Sequence, residues 1–403
     1  MVLDYRTRPA RRVASCEPEI FFGQRWPALI ERTGPLAARA VSRAALPALT
    51  FNVDGSRWSL LPEAETVRAV RERGDAELEV RMDSHAFAEL IDDHKSTLGL
   101  SVAGRVEILR GEGADFIGWD TALRAALDAR EAYAPGAVRL ELASGRALDL
   151  SRRFRVEDDP AKMREFLEIA GFLCIEGVFT SPEMAGVSAD LDAAVAAAEP
   201  DDGTSWWVRT QAGESRPSRI LNFLRQSSCL NALVAERRFL NLGELGGAGH
   251  IHSDSFGEHF AEPSAEGLVK AVGVTEGISD LGWHKDCARG GHSRFCCSLT
   301  IGIAVTDADE ESGELCVLAG SHRANLPPVG LAPDADLPVV ALPTKAGDVT
   351  VHCSCTLHQA RPPRSKERKV VYTGFGLPPR FADDPPPDES ALAKERADIG
   401  KMS

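Results

Sequence analysis

The chain has 403 residues, 43% of them hydrophobic, with 46 basic and 60 acidic side chains, a formal net charge of −14 and a pI near 5.3. That length suits two or three domains, and the acidic balance argues against nucleic acid as a partner and against a polybasic membrane patch. No apolar run approaches the ~18 residues that span a bilayer, so stable membrane insertion is not expected. Arg6, Arg8, Arg11 and Arg12 precede no apolar core, which excludes a secretory signal and leaves a brief transit peptide as the alternative. The nine cysteines are odd in number and irregularly spaced, which predicts free thiols and a cytoplasmic location.

Residues 1–44 read as a partly helical N-terminal segment. A domain over residues 45–135 follows. Thr50–Val53 and Arg57–Leu61 flank Asp54-Gly55, a two-residue hairpin signal. From Asp75 to Met82 the chain alternates, with Ala76, Leu78, Val80 and Met82 on one face and charges on the other. Asp83-Ser84 caps a helix carrying Phe87, Leu90 and Ile91. Gly104–Ile108 reads as a further half-buried strand. Phe116–Arg130 reads as an amphipathic helix with Phe116, Trp119, Leu123 and Leu127 on one face. This α+β order, with Gly74-Asp75-Ala76-Glu77-Leu78, Phe87-x-x-Leu90 and Leu100-x-x-x-Gly104-x-Val106-x-Ile108, resembles a sterol carrier protein-like lipid-binding domain. The resemblance implies an apolar tunnel for an acyl chain or sterol. The alternative is an interaction or dimerisation module that keeps the fold without the cavity.

Residues 136–160 read as a linker, marked by Ala134-Pro135-Gly136 at its start and Pro160 at its end. A second domain covers residues 161–380. Met163, Phe166, Leu167 and Ala170 lie at helical spacing and lead into a strand at Phe172. Ser181-Pro182 reads as an N-cap with Pro at the first helical position, before Met184, Val187, Leu191 and Val195. Cys297–Val305 reads as a strand ending in the acidic turn Thr306–Gly313. Glu314–Leu318 is a second strand running into Gly320-Ser321-His322, and Gly347-Asp348 turns into a third. A strand from Glu367 to Phe375, with a cation at its start, follows, and residues 381–403 read as a flexible tail.

Trp283-His284-Lys285-Asp286 is the stretch richest in chemistry. In a strand, residues i and i+2 point to one side, so His284 and Asp286 can grip one ion together. With a third histidine, His358, on a neighbouring strand, two imidazoles and a carboxylate make the facial triad of non-haem Fe(II) oxygenases, with open positions for a co-substrate and O2. His252-Ser253-Asp254 is a second His-x-Asp, but its glycine-rich context reads as a loop. His352 competes with His358 for the third position, and spacing alone does not separate them.

Trp-His-x-Asp, then Ser-Gly-Glu-Leu-x-Val-x-x-Gly-Ser-His over 312–322, then Gly347-Asp348 with His358 ten residues after Asp348 and Arg368 ten later, resembles the phytanoyl-CoA dioxygenase family. Gly171–Glu183 is similar to the opening of that family's domain, and the likeness runs over about residues 152–380. It implies a double-stranded β-helix (jelly-roll, cupin-like) fold with flanking helices, Fe(II) held by His284, Asp286 and His358, and 2-oxoglutarate and O2 as co-substrates. It also implies Arg368 as the partner of the distal carboxylate of 2-oxoglutarate, with Lys369 and Arg364 as rivals; a guanidinium matches a carboxylate bidentately. A small residue replaces the carboxylate ligand in related halogenases, so Asp286 points to hydroxylation. Cys287, Cys353 and Cys355 lie close to these positions and are a departure from the pattern.

The expected function is hydroxylation of an unactivated C–H in an apolar small molecule: acyl, sterol or terpenoid-like. Trp206, Trp207 and Arg209 read either as a core strand or as a substrate wall with a cation. His292, after two glycines, reads as a loop residue over the site. The rival functions are a lipid-binding or transfer protein with an inactive barrel, and a zinc-dependent hydrolase, for which no general base is evident.

Overall fold

The computed structural model describes residues 15–71, 76–253, 263–287, 298–332 and 334–378. His292, Asp254 and the expected tail fall outside them. The chain divides into two compact units. One comprises the described residues of Met1–Val138 with those of Lys285–Cys296 and Arg323–Asp336; the other comprises those of Arg139–His284, Cys297–His322 and Leu337–Ser403.

In the first unit, β1 (Leu49–Val53) and β2 (Ser56–Pro62) form the expected hairpin, with Val53 opposite Ser56. Asp54 (φ 48°) and Gly55 (φ 89°) both adopt the left-handed backbone of a primed turn, which an Asp-Gly pair takes readily. With β3 (Val67–Arg71), β4 (Leu78–Met82) and β5 (Glu107–Arg110) they make a sheet of order β3-β2-β1-β4-β5, in which β1 and β4 run parallel. The Asp83 carboxylate accepts the Ala86 N–H at 2.6 Å and caps the helix Ser84–Ile91, as expected. Glu79 departs from the expected solvated face of β4: it is buried and takes a charged bond from Arg57 at 2.8 Å.

The interior of this unit is filled by rings. Phe22 stacks on Trp58 at 5.6 Å, and Phe21 meets Phe87 edge-on at 5.4 Å. The helices Trp26–Arg43 and Gly113–Asp128 are joined by Thr33, which donates to the Ala126 carbonyl at 2.8 Å. The Asn325 side chain donates to the Thr121 and Arg130 carbonyls at 3.1 and 2.9 Å, tying in a segment remote in sequence.

In the second unit, Asp159 caps the helix Pro160–Ala170, and Gly171 (φ 82°) ends it. The chain then passes from the short β6 (Phe154–Arg155), before that helix, to β7 (Phe172–Glu176). The cap of the next helix, Ser181–Ala197, is Thr180, one residue before the expected Ser181. Its hydroxyl and the Glu183 carboxylate form a reciprocal capping box, and that pairing decides the boundary.

The remaining strands are β8 (Ser205–Thr210), β9 (Ser215–Ile220), β10 (Ile251–Ser253), β11 (Glu266–Lys270), β12 (Val274–Glu276), β13 (Leu299–Ala304), β14 (Leu315–Leu318), β15 (Val339–Leu342), β16 (Val349–Cys353), β17 (His358–Ala360) and β18 (Arg368–Gly376). They form a large sheet, β12-β8-β9-β11-β18-β13-β16-β7-β6 with β10 on β18, and a small one, β15-β14-β17. Ile301, Val349 and Val371 of the large sheet and Leu315, Val317 and Leu342 of the small sheet belong to one hydrophobic cluster.

One contact sets the polarity of the large sheet. Lys369 reaches Asp192 and Ser188 of the helix Ser181–Ala197 at 2.6 and 2.8 Å. Odd-numbered residues of β18 therefore face the helices, and Arg368, Val370 and Tyr372 face the opposite way. The register carries Lys270, Gly302, Thr350 and His352 onto that same inner face.

Two glycines separate backbone strain from crowding. Gly177 (φ 62°) has open space where a Cβ would go, whereas at Gly347 (φ 95°) a Cβ would lie 2.0 Å from the Phe179 carbonyl oxygen. Gly177→Ala is expected to cost about 1 kcal/mol and Gly347→Ala at least ~3 kcal/mol, read from urea denaturation midpoints.

Candidate metal centre

The centre is built on a backbone bridge. His284 and His358 are directly opposed in an antiparallel pair, each N–H donating to the other's carbonyl at 3.0 Å. Residues paired this way present their side chains on one face, and the two imidazole centroids lie 4.3 Å apart. Asp286, two residues on, adds its carboxylate. One donor atom each from His284, Asp286 and His358 lie within 4.8 Å of one another. In a facial set with bonds of ~2.1 Å each pair of ligand atoms lies ~3.0 Å apart, so these side chains would draw together by about one to two ångströms at most on closing around an ion.

Each ring is oriented by a backbone oxygen. His284 Nδ1 lies 2.7 Å from the Gly282 carbonyl, and His358 Nδ1 lies 3.0 Å from the Thr356 carbonyl. A carbonyl only accepts, so each Nδ1 carries the proton. In the neutral imidazole that leaves the lone pair on Nε2, the tautomer a metal needs. Lys285, between the two ligands, is buried and turned away: its ammonium donates to the Leu326 carbonyl at 3.1 Å and its N–H to Pro328 at 3.0 Å.

The other histidines fall elsewhere. His352 is buried on β16 with its ring 4.3 Å from that of His358, beside the donor group. His252 is not the loop residue expected from its glycines. It lies in β10, packs on Phe239 and Phe375 at 5.1 and 5.6 Å, and bonds Thr373 Oγ1 through Nε2 at 2.8 Å. Strand pairing with β18 outweighs the local glycine signal there. His322 bonds the Glu168 carbonyl at 3.0 Å and holds the corner after β14. Cys287 and Cys355 are buried and Cys353 is half-buried.

On the inner face, Arg368 is 4% exposed, and its Nε and Nη2 are buried with no hydrogen-bond partner among the described residues. Its rivals are engaged: Lys369 holds Asp192, and the exposed Arg364 pairs with Glu310 at 2.6 Å. Directly across from Arg368 on β11 stands Lys270, 2% exposed and ion-paired with Asp280. Burial, with the neighbouring Arg368 charge adding to it, pulls the Lys270 ammonium down to about 8.

The tryptophan pair divides. Trp206 is buried under the Arg219 guanidinium at 4.3 Å, while Trp207 is half-buried and donates to Ser205 Oγ at 2.9 Å. Arg209 is exposed and paired with Glu276, so the cation on the indole is Arg219, itself bonded to Glu266 at 2.5 Å. Sequence reasoning missed Lys270, Asp280 and Arg219. The available signal was Lys270 at the buried phase of the apolar strand Gly267–Val272, where a solvated lysine has no place.

Solved structures similar to the chain include AviO1 from Streptomyces viridochromogenes Tue57 at 19% identity (57% of this chain, 98% of that one, TM-score 0.42). EctD from S. alaskensis with bound Fe matches at 18% (55% and 78%, TM-score 0.43). The epimerase SnoN in complex with Fe3+, alpha ketoglutarate and nogalamycin RO matches at 22% (57% and 92%, TM-score 0.42). The model of the phytanoyl-CoA dioxygenase (PhyH) family matches residues 167–371, just over half of the chain. Iron and 2-oxoglutarate go with that family, and the His–Asp–His group is compatible with an iron ion. With a large and a small sheet around one core and this donor group between matched strands, the chain belongs to the phytanoyl-CoA dioxygenase family.

Proposed function

We propose that the chain is an Fe(II)- and 2-oxoglutarate-dependent dioxygenase that hydroxylates an unactivated C–H bond of an apolar small molecule, with His284, Asp286 and His358 as iron ligands. The observation that carries this reading is the mutual backbone bridge of His284 and His358, with both rings held as Nε2 ligands and Asp286 beside them. When bound, iron supplies the redox chemistry: O2 and 2-oxoglutarate are consumed, C–H becomes C–OH, and succinate and CO2 leave.

The protein's own residues bind and orient. Arg368 receives the distal carboxylate of 2-oxoglutarate. It is a permanent cation, and its buried Nε and Nη2, without a hydrogen-bond partner among the described residues, match two carboxylate oxygens. Burial excludes competing water and strengthens that contact. The half-buried Trp207 provides apolar surface on β8, which supports an acyl, sterol or terpenoid-like substrate. The odd number and irregular spacing of the nine cysteines support a reducing, cytoplasmic setting.

For the first unit, the five-stranded sheet with its helices supports the carrier-like α+β reading. The rings that fill its interior favour the second reading, a packed interaction module without an apolar tunnel. Uptake of a fluorescent fatty acid by the full chain, displaced when Phe87→Trp narrows that interior, would restore the carrier role.

Replacing His284, Asp286 or His358 by alanine is expected to abolish stoichiometric Fe(II) binding in anaerobic titration, whereas His252→Ala keeps it. Iron bound normally by His358→Ala would move the third ligand to His352. Arg368→Met is expected to keep iron and weaken 2-oxoglutarate about ten- to a hundredfold, the effect of losing a charged contact of ~1.5–3 kcal/mol. Release of CO2 from carboxyl-labelled 2-oxoglutarate measures it, and an unchanged apparent affinity contradicts the assignment.

A further inference from the structure

Lys270 is harder to explain than any other buried side chain of the second unit. It is 2% exposed, and the β11–β18 register sets it opposite a second buried cation, Arg368. Arg219 adds a further positive charge nearby. An apolar residue of similar size would pack there without the desolvation and repulsion that a buried ammonium brings. Its partner shows what the lysine does. The ammonium is ion-paired with Asp280 and also donates to the Arg361 carbonyl at 3.4 Å.

Asp280 lies in the irregular stretch that leaves β12 and delivers His284. That stretch is held down at successive points. At Gly277 (φ 85°) a Cβ would lie 2.4 Å from the Trp207 carbonyl oxygen, so only glycine permits the close approach. The Ser218 hydroxyl donates to the Ile278 carbonyl at 3.3 Å. Asp280 takes Lys270, and two residues later the Gly282 carbonyl takes the proton on His284 Nδ1 at 2.7 Å. The orientation of the His284 ring therefore depends on where Gly282 sits, and Gly282 is two residues from the buried ion pair.

We propose that Lys270 is a positioning residue for the metal centre: by anchoring Asp280 it fixes the Gly282 carbonyl, which aims His284 Nε2 at the ion. The proposal rests on the reading of His284 as a metal ligand. It also makes the inner-face charge serve two tasks, with Arg368 left open for a carboxylate and Lys270 committed to the loop.

The test is equilibrium titration of the full-length metal-free chain with Co(II) alone, followed by its visible absorption. Residues that orient a ligand from behind typically change metal affinity 10–100-fold, so Lys270→Met and Asp280→Asn should each weaken Co(II) about tenfold. The double variant should be no weaker than either single one, and Lys270→Arg, which keeps a cation facing Asp280, should stay within about twofold of the wild type. If Lys270→Met fails to fold, Asp280→Asn carries the test, because that side chain is 22% exposed. Wild-type affinity in Asp280→Asn, or additive losses in the double variant, overturns the proposal. Unchanged Co(II) binding in His284→Ala instead overturns the metal-centre reading beneath it.

Discussion

The site depends on one pairing, the two reciprocal 3.0 Å backbone bonds between His284 and His358. These residues are 74 positions apart in sequence, and neither can meet the other until the strands bearing them are registered. A slip of one residue would put the two rings on opposite faces, so the pairing register and the metal geometry are the same constraint. The carbonyls of Gly282 and Thr356 then choose the tautomer, each from two residues before its histidine. Ligand orientation is thus set mainly by backbone, which is rigid, rather than by other side chains, which have rotamers to lose.

The same sheet solves a second problem on its inner face. Barrel interiors in small jelly rolls are usually filled with apolar side chains, yet here Arg368, Lys270, Arg219, Glu266 and Asp280 cluster there. Arg219 is balanced by Glu266 and Lys270 by Asp280, leaving Arg368 as the cation whose Nε and Nη2 lack partners among the described residues. A single carboxylate would complete the set. A buried guanidinium without one is tolerated only where the rest of the fold holds it in place, and the strand ladder on both sides of β18 does so.

Much of this was legible in the chain. The Asp54-Gly55 hairpin, the Asp83 cap and the helix with Met163, Phe166 and Leu167 follow from local chemistry, and local chemistry decides them. The grouping of His284 and Asp286 with His358 was legible in the His-x-Asp spacing, although Asp286 lies in a turn after a single bridging residue, His284, and not on a strand. What local reading missed was settled by distant partners. His252 looked like a loop residue until β18 paired with it, and Glu79 looked solvated until Arg57 covered it. The Thr180 cap was displaced by one residue because Glu183 completes a box with it. Lys270 drew no notice because its meaning lies in Arg368 and Asp280, neither of them near it in sequence. Likewise nothing local shows that Asn325 bonds the Thr121 carbonyl of a helix about two hundred residues earlier.

The central claim is that this donor set and Arg368 serve 2-oxoglutarate-dependent oxidation. The most direct measurement follows isotopically labelled O2 in the iron-loaded enzyme supplied with 2-oxoglutarate. The account predicts that succinate forms in step with O2 consumption and carries an oxygen atom from the labelled gas. Unlabelled succinate, or O2 consumption that proceeds unchanged without 2-oxoglutarate, would contradict it.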